Sequence, residues 1–147
     1  MTDNTTILDM CCGSRMFWFN KQDTRAVFTD IRAEEHELCD GRRLVISPDL
    51  ISDFRSLPFA DSSFPVVVFD PPHLERVGQS AWMGKKYGRL NKKTWRSDLR
   101  AGFKEAYLCK GLTKAGMHSA IKKQDKNPAL IYGFLVIFQT VFSRYFG

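Results

Sequence analysis

The stretch at positions 65–73 constrains the fold more than any other part of the chain. It reads Pro-Val-Val-Val-Phe-Asp-Pro-Pro-His. Its apolar run is typical of a strand that is buried on both faces of a parallel sheet, and two consecutive prolines cannot continue the hydrogen-bond ladder. The chain must therefore leave the sheet at Asp70. Ligands of open α/β sheets bind outside the carboxyl ends of the strands, so Asp70 and His73 are candidates for chemistry rather than for packing.

Two earlier segments have a related form. Residues 5–10 predict a first strand, which is followed by the small-residue turn Cys11-Cys12-Gly13-Ser14 and a predicted helix over residues 15–19. Residues 25–31 predict a second strand that carries Asp30 near its end. A turn of small residues lets backbone amides approach a ligand closely, and an acid about twenty residues later can accept hydrogen bonds from ribose hydroxyls. An ordinary turn is the alternative for residues 11–14. For Asp30 the spacing equally allows a helix N-cap.

Length and cysteine usage indicate the class of protein. The 147 residues suffice for one domain with a real core. The four cysteines form no Cys-x-x-Cys pair, and the three histidines have no matching ligand spacing. We therefore expect reduced thiols and no metal. The first residues lack the pattern of a signal peptide, which favours a cytoplasmic protein that is not exported.

The charge of the chain is distributed unevenly. The formal net charge is +6, but residues 1–75 carry 13 acids against 7 bases, whereas residues 76–147 carry 3 acids against 15 bases. Such a split suggests that the second half meets a polyanionic partner, and nucleic acid is the favoured one. A scattered basic surface that serves solubility is the alternative.

The most basic region interleaves aromatic and basic residues. Between positions 80 and 93 they alternate among glycines, and Thr94 then precedes a predicted helix over residues 95–108. In that helix Trp95, Leu99, Phe103 and Tyr107 recur every four residues, and Arg96, Arg100 and Lys104 follow one position later. Bases that neutralise phosphates and rings that stack on bases suit a single-stranded or flipped-out nucleotide. A mobile lid followed by an ordinary amphipathic helix is the alternative interpretation.

The remaining segments carry weaker patterns. Residues 34–43 are polar and predict a loop or a frayed helix, and residues 44–48 predict a minor strand that a proline ends. Residues 129–142 are apolar but fall short of the roughly 20 residues that a membrane-spanning helix needs. Their β-branched and aromatic content predicts one or two buried strands.

Four motifs taken together resemble the class I S-adenosylmethionine-dependent methyltransferases. They are residues 7–19, the strand that ends in Asp30, the pair Asp53-Phe54, and Asp70-Pro71-Pro72-His73. The nearest likeness is to small phage and prophage members with a Cys-Cys-Gly-Ser-Arg-Met-Phe-Trp-Phe turn and an Asp-Pro-Pro-His motif. The resemblance covers about residues 5–107. It implies an α/β fold with a Rossmann-like, doubly wound, mostly parallel sheet, and S-adenosyl-L-methionine as cofactor.

The resemblance also assigns roles to individual residues. The turn that cradles the methionine part of the cofactor would be formed by Asp9, Cys11, Cys12, Gly13 and Ser14. Asp30 would hold the ribose, and Asp53 and Phe54 would lie beside the adenine. Asp70 and the Pro71 carbonyl would accept hydrogen bonds from a target amino group, within a catalytic motif completed by Pro72 and His73. The substrate-binding candidates of the aromatic and basic region are Trp82, Lys85, Lys86, Tyr87 and Arg89.

The implied reaction is methyl transfer to an exocyclic amino group of a nucleobase, with adenine in DNA favoured. Methylation of RNA or of a small molecule, and binding without turnover, are the alternatives. Two features depart from the family pattern. His73 stands where the adenine enzymes most often have an aromatic residue, and residues 108–147 lack the expected fifth-strand ending and the Gly-His-rich segment. We therefore divide the domain into a core, residues 1–107, and an atypical C-terminal segment that is divergent or read out of frame.

Overall fold

The computed structural model describes residues 5–72, 82–111 and 136–137. These residues form an α/β arrangement in which most of the main sheet is parallel. The elements, in chain order, are β1 (Ile7–Asp9), β2 (Ala26–Asp30), β3 (Glu34–Glu37), β4 (Arg43–Ile46), β5 (Leu50–Ile51), β6 (Val66–Phe69), α1 (Trp82–Tyr87), α2 (Trp95–Lys110) and β7 (Val136–Ile137).

The main sheet has the strand order β5-β2-β1-β6-β7. The first four of these strands are parallel, and β7 pairs antiparallel with β6. After β1 the chain therefore places β2 and β5 on one side and then crosses to β6 on the other side. The direction of the strand order reverses between β1 and β6, which is where open α/β sheets leave a crevice at the carboxyl ends of their strands.

The three central strands are held by apolar side chains that are removed from water. Leu8 of β1 and Val67 of β6 are fully buried, and Phe28 of β2 is nearly so. Leu8 is the register partner of Val67, so neighbouring central strands present apolar residues side by side. These strands confirm the predictions made for residues 5–10, 25–31 and 65–69, and β6 ends directly before Asp70.

Helix α2 covers β6 and confirms the helix predicted over residues 95–108. Its row of apolar residues faces the core, where Leu99 and Tyr107 are buried, while its three bases at four-residue spacing are exposed. Near its end, Ser62 and Phe64 donate their backbone N–H groups to the carbonyls of the last turn. Helix α2 consequently runs antiparallel to β6 and begins near the sheet edge where β6 ends. Thr94 precedes the helix, but its hydroxyl donates to Asp98 instead of accepting a backbone N–H.

The helix predicted over residues 15–19 is wrong, because the structure has a series of turns there. Arg15 has a φ of 55°, which a helix cannot accommodate. Its guanidinium lies 3.8 Å from the centroid of the Phe28 ring and donates hydrogen bonds to the carbonyls of Lys21 and Ser47. It also pairs with the Asp49 carboxylate at 2.9 Å. Side-chain bonds to distant residues thus hold the connection from β1 to β2.

The loop or frayed helix predicted over residues 34–43 is wrong for residues 34–37, which form strand β3, whereas residues 38–42 form the turn that follows it. Strand β3 pairs antiparallel with β4 and forms a separate two-stranded ribbon. Leu44 and Ile46 of β4 are buried, so the apolar partner strand anchors the polar one. The turn closes with a hydrogen bond of 2.8 Å from the N–H of Leu38 to the carbonyl of Arg42, and Gly41 adopts a φ of 79°. Strand β4 itself confirms the minor strand predicted over residues 44–48.

The C-terminal segment contributes the short strand β7, which lies within the apolar stretch predicted to form one or two strands. Helix α2 runs across the boundary placed between residues 107 and 108 and ends at Lys110. Within the described ranges, no helix combines the length and apolar character needed to cross a membrane.

Candidate functional site

A cleft of about 380 Å³ opens at the carboxyl ends of β1, β2 and β6. It lies where the direction of the strand order reverses, and its volume falls in the range of about 300–1,000 Å³ typical of small-molecule sites. Three acids, one from the end of each strand, contribute to its lining: Asp9, Asp30 and Asp70. Of the predicted site residues, the cleft also brings together Cys11, Cys12, Gly13, Ser14, Pro71, Pro72, Lys86, Tyr87 and Arg89.

Asp9 lies at the base of the cleft and is only 3% exposed. Its Oδ1 accepts a hydrogen bond of 3.2 Å from the backbone N–H of Cys11, and its Oδ2 accepts one of 2.7 Å from the indole N–H of Trp18. Burial raises the pKa of Asp9 to about 6, although both hydrogen bonds act in the opposite direction. Asp9 therefore fixes the turn that follows β1, and Trp18 is a supporting residue that the sequence did not single out.

The small-residue turn bridges the ends of β1 and β2. Gly13 has a φ of 50°, and its N–H donates a hydrogen bond of 2.9 Å to Oδ2 of Asp30. The N–H of Cys12 donates to the carbonyl of Thr29 at 2.9 Å. Burial raises the pKa of the Cys11 thiol and raises that of Cys12 to about 12, so both thiols are protonated at neutral pH. The turn is thus a backbone platform and offers no thiolate nucleophile.

Asp30 is 5% exposed and is held by Arg32, a residue that the sequence interpretation missed. The backbone N–H of Arg32 donates to Oδ1 of Asp30 at 2.9 Å, and its Nε donates to the same oxygen at 3.1 Å. Its Nη1 donates to the backbone carbonyl of Lys85 at 2.9 Å. Arg32 therefore ties the end of β2 to α1 across the cleft. The sequence signal that could have found it is an arginine two residues after a strand-ending acid.

The residues after β6 form the other side of the cleft. Asp70 is exposed, and its negative charge contributes to raising the pKa of Asp9. Pro72 packs closely on the turn after α1, because a Cβ added to Gly88 would meet Cγ of Pro72 at 3.0 Å. Gly88 has a φ of 73°, so both its conformation and this contact favour glycine. His73 lies outside the described residues.

Helix α1 and the residues after it supply basic and aromatic side chains to the cleft, which form its basic wall. Lys86, Tyr87 and Arg89 line the cleft. The Lys86 Nζ lies 5.0 Å from the ring centroid of Tyr87 and 5.7 Å from that of Trp82. Trp82 is 45% exposed and, like Lys85, is not among the residues that line the cleft. Lys85 acts instead through its backbone carbonyl, which accepts from Arg32.

Asp53 and Phe54 follow β5 but do not line the cleft. Asp53 pairs with Arg55, and this guanidinium lowers the pKa of the carboxyl. The Phe54 ring packs against Phe69, with 5.3 Å between ring centroids, and belongs to the core between α2 and the sheet. The contact of these two residues with adenine stays a prediction.

Three exposed apolar side chains contribute to the rim, those of Met16, Phe17 and Ile31. Met16 and Phe17 line the cleft, and each is about half exposed, at 49% and 48%. The sequence motif contained both residues, but its pattern did not indicate which way the side chains point. They give the cleft an apolar surface beside its charged groups, which suits a ligand that has both a flat apolar part and charged parts.

Comparison of the chain with protein-family models, with curated proteins and with solved structures gives no match in any of the three. The arrangement of side chains nevertheless has a clear chemical character. Acids from three strand ends line one cleft together with Lys86 and Arg89. Such a cleft can hold a positively charged ligand against its acids while the basic wall contacts a negatively charged one.

Proposed function

We propose that the protein transfers a methyl group from S-adenosyl-L-methionine to an exocyclic amino group of a nucleobase, with adenine in DNA as the favoured target. The single observation that supports this best is the convergence at one cleft of the small-residue turn, Asp30 and the Asp70-Pro71-Pro72 segment. Those are the parts of the sequence motifs that bear the resemblance to class I methyltransferases. The strand order, with its reversal beside β1, is compatible with a Rossmann-like, doubly wound sheet.

The residues of the cleft fit the proposed cofactor in charge and in size. Asp9, Asp30 and Asp70 contribute carboxyl groups to the lining, which attract a ligand that carries positive charge, and of these Asp30 is already paired with Arg32. Gly13 and its neighbours offer a backbone platform, and Met16 and Phe17 offer apolar surface. When bound, S-adenosyl-L-methionine would supply an electrophilic methyl group attached to a positively charged sulfur. Arg32 already donates hydrogen bonds to Asp30. The carboxylate of Asp30 would therefore accept hydrogen bonds from Arg32 and from the ribose hydroxyls together.

Asp70 and Pro71 carry the proposed chemistry of the chain itself. The Asp70 carboxylate and the Pro71 carbonyl would accept hydrogen bonds from the two N–H groups of the target amine. This would fix the plane of the amino group and direct the nitrogen lone pair into the cleft. The nitrogen would gain the methyl group as the carbon–sulfur bond breaks and a neutral thioether leaves. It would also lose one proton, which the exposed Asp70 carboxylate can accept and release to water. Most of the rate enhancement would then come from positioning.

The basic wall supports a nucleic acid as the source of the target amine. Lys86 and Arg89 can contact phosphates, and the ring of Tyr87 can stack on an unpaired base at the mouth of the cleft. An amine inside a duplex cannot reach Asp70, so the base must be single-stranded or flipped out. A single aromatic and basic wall implies a short recognised sequence.

Parallel transfer assays test the proposal. Tritium-labelled S-adenosyl-L-methionine is incubated with the full chain and DNA, RNA or protein, and the methylated product is identified after digestion. Label recovered as N6-methyladenine in DNA supports the proposal. Label in RNA favours the first alternative, and label in protein would contradict a nucleobase target. Cofactor binding in equilibrium dialysis without any transfer favours a binding protein. The absence of both cofactor binding and methyl transfer would overturn the proposal.

A further inference from the structure

The outer face of helix α2 presents a row of three exposed bases, Arg96, Arg100 and Lys104. We propose that this row is a second nucleic-acid contact, which binds the phosphate backbone of the strand whose base enters the cleft. The inference rests on the proposed nucleic-acid substrate. It extends that proposal because it assigns a second contact, on residues that do not line the cleft, to the strand that carries the target base.

The two acids of α2 are turned away from this row. Asp98 pairs with Arg55 at 3.2 Å and accepts a hydrogen bond of 2.7 Å from the hydroxyl of Thr94. Glu105 accepts a hydrogen bond of 3.0 Å from the backbone N–H of Leu57. Both acids therefore serve the packing of α2 against residues 53–57. The charges of the helix are thus segregated, with its acids toward the protein and the row toward solvent.

The spacing of the row brings like charges next to one another. Residues four apart are neighbours on a helix surface, and like charges at that spacing repel each other by a few tenths of a kcal/mol, roughly 0.2–0.5 per pair. Arg96 and Arg100 form one such pair, and Arg100 and Lys104 form the next. A polyanion that contacts all three bases would offset this repulsion.

The row follows the cleft residues closely along the chain. Arg89 lines the cleft, and α2 begins six residues later at Trp95. At about 1.5 Å of rise per residue, the row extends about 12 Å from Arg96 to Lys104. A stacked strand advances about 3.4 Å per nucleotide, so the length of the row matches three to four phosphates.

Trp95 adds an observation at the N-terminal end of the row. Its half-buried ring packs against the main core, and the Arg96 guanidinium lies 4.6 Å from the ring centroid. Stacking on a fixed ring orients the planar guanidinium, so less conformational freedom is lost when it binds a phosphate. Arg96 is therefore the member of the row that is best prepared for a phosphate.

Salt-dependent binding of a fluorescein-labelled single-stranded DNA tests this inference. The triple variant Arg96→Gln, Arg100→Gln, Lys104→Gln is compared with the wild type by fluorescence anisotropy at several salt concentrations. The matched control is Lys21→Gln, Arg42→Gln, Arg43→Gln, which removes the same charge from exposed positions away from the cleft. Circular dichroism melting checks that both variants fold.

The row variant should bind at least tenfold more weakly than the control at low salt. Its slope of log K against log salt concentration should be shallower by about 2, because each phosphate contact to a single strand contributes about 0.7. Equal affinity and slope for the two variants would overturn the inference. A loss of binding to vesicles that contain phosphatidylserine, without a loss of DNA binding, would also overturn it and would assign the row to a membrane surface. These readouts need no turnover. If the row binds DNA but the protein transfers no methyl group, only the proposed reaction is rejected.

Discussion

The indole N–H of Trp18 donates a hydrogen bond of 2.7 Å to Oδ2 of Asp9, a carboxyl group that is 3% exposed. This bond links the connection after β1 to the base of the cleft. We predict that Trp18→Phe lowers the free energy of unfolding by about 1.5–3 kcal/mol, the usual worth of a hydrogen bond to a charged group. Urea denaturation monitored by circular dichroism measures the change.

Trp82→Phe is the control for this prediction, because Trp82 is 45% exposed. It should change the free energy of unfolding by no more than about 0.5 kcal/mol. Equal effects of the two substitutions would show that the bond between Trp18 and Asp9 contributes nothing of its own. The phenylalanine at position 18 would keep the edge contact with Phe28, so ring packing is largely preserved in the comparison.

The pKa of Asp9 gives the stability a pH dependence of definite sign. Burial raises this pKa from 3.8 to about 6, so between these values the folded state binds more protons than the unfolded state. The contribution of Asp9 to stability therefore increases as the pH falls from 7 to 4. In Asp9→Asn this contribution is absent. The difference in unfolding free energy between wild type and Asp9→Asn should shift in favour of the wild type by up to about 3 kcal/mol over that range.

Chemical denaturation of both proteins at several pH values measures this difference. Asp53, whose pKa is lowered by Arg55, loses its stabilising contribution as the pH falls. That loss occurs in both proteins and cancels from the difference. A difference that does not change with pH, or that shifts in favour of the variant on acidification, would contradict the assigned state of Asp9.

Arg32→Ala should leave the buried Asp30 carboxylate without its main partner. We expect the free energy of unfolding to fall by about 3 kcal/mol, the lower end of the cost of breaking a buried ion pair. The control is Arg43→Ala, which removes an exposed partner of Glu35 and should cost less than about 1 kcal/mol. Equal costs would contradict the role given to Arg32.

Cofactor addition gives Arg32→Ala a second readout. Under the proposed function, ribose hydroxyls can donate to the Asp30 oxygens that Arg32 otherwise occupies. S-adenosyl-L-methionine should therefore raise the Tm of Arg32→Ala by more than it raises the Tm of the wild type. Differential scanning fluorimetry compares the two shifts, and a smaller shift in the variant would count against ribose binding at Asp30.

Gly102 lets α2 approach the sheet closely. A Cβ at this position would meet the ring of Phe69 and would lie 2.6 Å from Cδ2 of Phe54. In an open helix Gly→Ala would stabilise by about 1 kcal/mol, but here we predict a net loss of about 1–2 kcal/mol from overpacking. Thermal unfolding measures it, with the exposed Ser97→Ala as control. A rise in Tm for Gly102→Ala would show that the helix can shift without cost.

The central strands could be predicted because their signal is local. The apolar run of β6 and its proline ending stand next to each other in the sequence, and the small-residue turn follows directly after β1. The positions of Asp30 and Asp70 at one sheet edge then follow from parallel pairing of the strands. The α/β class and the position of the cleft thus depended on features that a single sequence carries.

The other parts depend on contacts between distant residues. The turns at residues 15–19 are fixed by Arg15, which bonds to Ser47 and to the side chain of Asp49. Strand β3 is polar and depends on its pairing with β4, and β5 has only two residues. Arg32 acquires its role through the carbonyl of Lys85. A local pattern does not specify such partners, so these features could not be predicted.

The central claim concerns Asp70, and the direct measurement is tritium transfer from labelled S-adenosyl-L-methionine to DNA by Asp70→Ala, which removes both the hydrogen-bond acceptor and the charge. The control is Asp61→Ala, which removes the same group from an exposed aspartate in the turn before β6. We predict that the wild type and Asp61→Ala label DNA alike, while Asp70→Ala loses at least 100-fold in rate, as on the order of 10²–10⁴ is expected when a positioned acid–base group is removed. Equal labelling by Asp70→Ala and Asp61→Ala would contradict the role proposed for Asp70.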